Sequence, residues 1–189
     1  MGKVSWVQGQ KYPIDMIKDF ETMLMEQMAW EQMASHFSAD LAGIYQSMGL
    51  NGFKRMKRYQ SIKEVKESAE IRHYMVDYLK VLPVEDFSYT SPMAISTLKE
   101  CLNLDHTYCE ENIARLNRLM ELALQEKKYC SIPMIQCLVV KEYRRRVKIE
   151  REYLECEYVS WDKVYVMQHD KIIHECYKRK EKESYGYKD

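Results

Sequence analysis

Leu98-Lys99-Glu100-Cys101-Leu102-Asn103-Leu104-Asp105-His106-Thr107-Tyr108-Cys109-Glu110-Glu111-Asn112-Ile113-Ala114-Arg115-Leu116 is the stretch that decides the fold. Leu98, Leu102, Cys109, Ile113 and Leu116 return in steps of three, four and seven, and the series extends back to Ile95 and on to Met120 and Leu124. That spacing is the period of a helix with one buried stripe. Neither Gly nor Pro occurs between Met93 and Ile132, so nothing in the stretch punctuates the chain.

The same reading works outward. The whole chain holds six Gly and four Pro, less than half the usual share of about 12%. None lies between Phe53 and Leu82, and none between Met134 and Tyr185. A first helix is expected from Pro13 and Ile14 to about Met48, with Ile17, Phe20, Leu24, Met28, Ala34, Phe37, Leu41, Ile44 and Met48 on its stripe. Gly49-Leu50-Asn51-Gly52 forms the turn into a second helix from about Phe53 to Leu82. Its expected stripe is Ile62, Val65, Ala69 and Val76, and Pro83 stops it. Ser91-Pro92 suits the start of the third helix. Ser131-Ile132-Pro133 suits the start of the fourth, whose stripe is Ile135, Leu138, Ile149, Tyr153 and Cys156, and which either continues past Ser160 or breaks there into a final segment. The expectation is an all-α four-helix bundle with one longer connection between the second and third helices. One domain spans 1–189: a core bundle over about 14–160, then a C-terminal helix and charged tail over about 161–189.

Composition limits the partners. The formal net charge is zero, from 29 basic and 29 acidic residues, which argues against coating nucleic acid or an anionic membrane. No apolar run approaches the roughly 18–20 residues that span a bilayer. Met1-Gly2-Lys3-Val4-Ser5-Trp6 is too polar for a signal peptide, and Trp6 breaks a myristoylation motif. The six cysteines form no Cys-x-x-Cys pair, so a zinc knuckle is not expected. A cytoplasmic protein with free thiols is the resulting expectation.

Polar residues interrupt every stripe. They are Glu31 on the first helix, Glu70 and His73 at i, i+3 on the second, Asp105 and His106 on the third, and Glu142 on the fourth. Burying unpaired charge costs several kcal/mol, so such groups need a partner. Carboxylates and imidazoles on facing helices suit iron or manganese. Asp105 can replace His106 in that role, or either can be a core hydrogen bonder. For Glu142 the rival is a salt bridge to the run Arg144-Arg145-Arg146. The thirteen methionines read as adaptable core.

A family resemblance rests on these residues. Glu26-Gln27-Met28-Ala29-Trp30-Glu31 resembles the first-helix motif of non-haem ferritins of the bacterial type. Gly49-Leu50-Asn51-Gly52-Phe53 is similar to their first turn, and Glu70-Ile71-Arg72-His73 resembles their Glu-x-x-His motif. Glu100 to Leu116 resembles the third helix, and Lys141-Glu142-Tyr143 falls near the family's Gln or Glu position. The resemblance covers about residues 14 to 155. It implies a ferritin-like bundle with a di-iron centre held by Glu31, Glu70, His73, His106 and Glu142, oxidising Fe(II) and storing or detoxifying iron in a homo-oligomer. The departures imply a divergent centre. The interval from Glu31 to His73 is long, His106 stands at a glutamate position, and Arg144–Arg146 follow Glu142. The competing expectation is a metal-free ferritin-like bundle that serves as a structural or interaction module; a DNA-protecting dodecamer of the same superfamily is weaker, because its first-helix histidine pattern is absent.

Overall fold

A computed structural model describes residues 19–83, 88–91 and 95–185, and among them every regular element is helical. Helix α1 spans Phe20–Ser47. Asp19 caps it by accepting a hydrogen bond from the Thr22 amide, satisfying one of the orphan donors of a first turn. The expected start near Pro13 lies outside the described residues. Gly49, at φ 77°, makes the left-handed turn that a side chain resists. Helix α2 spans Asn51–Tyr74 and continues as a π-helical turn, Met75–Leu79.

Residues 80–97 link α2 to the next helix, and Tyr89, one of those described, donates to Asp40 Oδ2 at 2.8 Å. Helix α3 spans Leu98–Gln125, later than Ser91-Pro92 suggested, because Thr97 and Glu100 form a capping box there. Helix α4 spans Ile132–Tyr158, with proline in its first turn as expected. Ser131 does not cap it with its side chain; its hydroxyl pairs with that of Tyr74 at 2.6 Å. Ser160 and Trp161, both at positive φ, make the break into helix α5, Lys163–Tyr185.

Helices α1–α2 and α3–α4 pair as hairpins, and α5 lies against α2. Gly52 fixes that last contact, since a Cβ there would stand 1.9 Å from the Asp170 carbonyl oxygen. Asp170 also accepts the Phe53 amide at 2.9 Å. The start of α2, which has no side-chain cap of its own, is therefore capped from α5. None of the described helices is long and apolar enough to cross a membrane.

The core forms two apolar clusters. One gathers Phe20, Leu24 and Met28 with Ile71, Met75, Leu116, Leu119, Ile135 and Leu138. The other gathers Phe37, Leu41, Tyr45, Phe53, Leu102, Cys109, Ile149 and Cys156. Between them, on all four helices, buried residues are polar: Glu31, then Lys57, Glu64, Glu67 and Ser68, then Asn112, then Glu142 and Arg145. A charged layer is thus sealed by hydrocarbon at both ends.

The second helix departs from its expected register. Ile62, Val65, Ala69 and Val76 face outward. Phe53, Met56, Lys57, Glu64, Glu67, Ser68, Ile71 and Met75 face inward. The inward face is itself helical in period, but half of it is polar, so the cleaner apolar series on the other side dominates the sequence pattern.

Candidate metal centre

Glu31 and Glu142 enter the bundle as expected; both are buried. Glu70 and His73 do not. Both are exposed, and Glu70 pairs with Lys141 at 3.3 Å. The rotation of α2 that turns Val65 and Val76 outward carries Glu70 and His73 with them. His106 is half-buried on the outer side of α3, where its Nε2 lies 3.1 Å from Glu150 Oε1. Its neighbour Asp105 is the fully buried member of that pair. The five expected ligands are therefore not brought together. What joins Glu31 and Glu142 instead is Glu64 and Glu67, again at i, i+3.

Arg145 organises this layer. Its Nη1 donates to Glu64 Oε1 at 2.6 Å and lies 3.4 Å from Glu142 Oε1, and its Nη2 donates to Asp105 Oδ1 at 2.8 Å. The buried ammonium of Lys57 pairs with the other oxygen of Asp105. Burial alone would raise the Asp105 carboxyl, but Lys57 and Arg145 outweigh it and hold the group below its usual range. Lys141 reaches Glu67 from the rim at 3.3 Å. The ring of Tyr108 closes one side, stacked on Trp30 and Phe37 at centroid distances of 4.8 and 4.7 Å.

Among the described residues no cation pairs with Glu31. Its Oε1 accepts from Gln27 Nε2 at 2.7 Å and from Asn112 Nδ2 at 3.4 Å. Burial, then the like charges of Glu67, Glu142 and Glu64, push its carboxyl well above the ordinary range. Burial also lifts Glu67, against the pull of Lys141, and takes Glu64 to about 7 against that of Arg145 and Lys57. Glu64 Oε2 is buried without a well-formed hydrogen bond. Among the described residues five acids line the layer, Glu31, Glu64, Glu67, Asp105 and Glu142; Lys57 and Arg145 act on Asp105 and Glu64, and Lys141 and Lys63 on Glu67.

This donor set was partly legible. Phe53, Met56, Gln60, Glu64, Glu67, Ile71 and Met75 follow one another at steps of three and four, and reading the polar members as part of the stripe would have found Glu64 and Glu67. Lys57 and Asn112 carry no comparable signal.

The fold is that of ferritins. No family model matches the sequence, and no curated protein matches it. Solved structures do. The chain is similar to an open pore ferritin from the hyperthermophilic archaeon Archaeoglobus fulgidus, with a TM-score of 0.78, 18% identity, and coverage of 84% of this chain and 98% of that one. It is similar also to an engineered closed form of the Archaeoglobus fulgidus ferritin and to a humanized archaeal ferritin, each with a TM-score of 0.77, 17% identity, and coverage of 82% and 94%. At such identity the likeness concerns the fold.

Proposed function

We propose that this chain is an iron-binding protein of ferritin fold that takes a single Fe(II) as cargo among Glu31, Glu64, Glu67 and Glu142. The observation that carries the reading is the gathering of four buried carboxyls, Glu31, Glu64, Glu67 and Glu142, contributed by three helices, since carboxylate oxygens on facing helices suit a divalent cation. Without one, burial and then the like charges of Glu67, Glu142 and Glu64 hold the Glu31 carboxyl well above its ordinary range.

A pair of irons does not fit. The Arg145 guanidinium stays charged, and it occupies the space between Glu64, Glu142 and Asp105. Among the described residues no three central donor atoms come within 4.8 Å of one another, so even a single ion requires the carboxylates to turn toward it. Oxidation of Fe(II) by a paired site is therefore not part of the proposal. The rival is the metal-free bundle, favoured by the amide contacts of Glu31 and the grip of Arg145. The exposed apolar series on α2 and α4 support assembly of the chain with itself.

The test is anaerobic Fe(II) titration of metal-free protein, followed by calorimetry and thermal melting. In a His106→Ala background one equivalent should bind, raise the melting temperature, and be lost when Glu31→Gln or Glu67→Gln is added. Metal-free Glu31→Gln should itself melt above the wild type, because it removes an unpaired buried carboxyl. Binding that ignores Glu31→Gln and Glu67→Gln, or no binding at millimolar Fe(II), establishes the metal-free reading.

A further inference from the structure

Outside the central layer, three donor atoms of mixed chemistry converge on the surface between α3 and α4. His106 and Glu110 are one turn apart on α3, and Glu150 approaches from α4. His106 Nε2 lies 3.1 Å from Glu150 Oε1 and 3.9 Å from Glu110 Oε1, and all three donor atoms fall within 4.8 Å of one another. We infer that His106, Glu110 and Glu150 form a surface site for a divalent transition-metal cation, with Arg146 as the resident counter-ion that the metal displaces.

Geometry supports this first. Nitrogen and oxygen ligands sit about 2.0–2.2 Å from zinc, which puts neighbouring donors of a tetrahedral site about 3.4 Å apart. The observed separations bracket that value, so closure needs movements on the order of an ångström at the tips of half-exposed side chains. The backbone positions are fixed by two long paired helices, so the three donors are already gathered. One imidazole and two carboxylates are a borderline set, suited to Zn(II), Fe(II) or Co(II) more than to Mg(II) or Ca(II).

The competitor is weakly held. Arg146 Nη1 donates to Glu110 Oε1 at 3.0 Å, while its Nε reaches Glu150 Oε1 only at 3.5 Å and forms no well-aligned hydrogen bond. Ion pairs this exposed contribute about 0–1 kcal/mol. Arg146 also lies over the Tyr143 ring, 5.0 Å from its centroid, an aromatic contact that can retain the guanidinium once the carboxylates turn to a metal. The plain alternative is a surface ion-pair network that ties α3 to α4 and binds no cation.

The test uses Co(II) and Zn(II) on protein carrying Cys130→Ser and Cys137→Ser, because the two thiols those changes remove are exposed. One equivalent of Co(II) should give visible d–d absorption of low coordination number, and Zn(II) should compete it away. His106→Ala and Glu150→Gln should abolish the spectrum, whereas Glu31→Gln should leave it intact, separating this site from the central one. Arg146→Ala should tighten binding about tenfold. A spectrum unchanged by His106→Ala, or no spectrum at 1 mM Co(II), overturns the inference. So does weaker binding in Arg146→Ala, since a displaced counter-ion cannot support its competitor.

Discussion

Arg145 and Arg146 are adjacent in the chain and serve different environments: Arg145 donates to Asp105 at 2.8 Å within the buried layer, and Arg146 donates to Glu110 at 3.0 Å at the surface. Asp105 and His106 repeat the arrangement on α3, one inside and one outside. Two consecutive pairs on facing helices thus build an inner charged layer and an outer cluster back to back.

Removing the inner arginine should be severe. Arg145→Met leaves Asp105, Glu64 and Glu142 buried without their shared cation, and breaking a buried pair by taking one partner costs about 3–5 kcal/mol. The midpoint of urea unfolding should fall accordingly. Arg145→Lys should recover only part of the loss, because an ammonium cannot reach two carboxylates as a planar fork does. An Arg145→Met midpoint equal to wild type would mean that the layer is not held by this contact.

Helix α5 should be released by one methyl group. Gly52→Ala drives a Cβ against the Asp170 backbone, and the relief is to lift α5 and lose the cap on Phe53. Overpacking costs about 1–3 kcal/mol, enough to expose the α4–α5 turn. Limited proteolysis should then cut near Ser160 much faster than in wild type, while Gly43→Ala, with open space around it, should change nothing. Equal cleavage rates for Gly52→Ala and wild type would contradict the docking.

Thiol reactivity should divide by burial. Cys130 and Cys137 are exposed, whereas Cys101, Cys109 and Cys156 are buried. Burial pushes the Cys101 thiol up to about 12 and Cys156 to about 11, and raises Cys109 well above its ordinary value. At pH 8 iodoacetamide should modify Cys130 and Cys137 within minutes and the three core thiols only after unfolding, read by peptide mass. Early modification of Cys101 would show the bundle open at that end.

Self-assembly should depend on the outward apolar series. Val65 on α2 and Val140, Val147 and Leu154 on α4 are exposed, and exposed apolar runs of this kind mark contact surfaces. Light scattering should give a mass several times 22.7 kDa. Val65→Glu or Val147→Glu should lower that mass without reducing helix content. A wild-type monomer at micromolar concentration would remove the assembly.

The sequence by itself determined the helices, their order, the longer connection after the second, and the presence of a charged layer. These follow from local rules: scarce Gly and Pro, an apolar period, and acids placed where the period wants hydrocarbon. Tertiary structure alone decided which face of α2 turns inward. That helix has two candidate faces, one apolar through Ile62, Val65 and Val76, and one mixed through Met56, Lys57, Glu64 and Ile71. Period cannot rank them, because burying Lys57 and Glu64 becomes tolerable only when Asp105 and Arg145 arrive from α3 and α4 to pair with them. The same dependence explains why Glu70 and His73 lie outside: their position was set by partners more than 30 residues away, which no local pattern records.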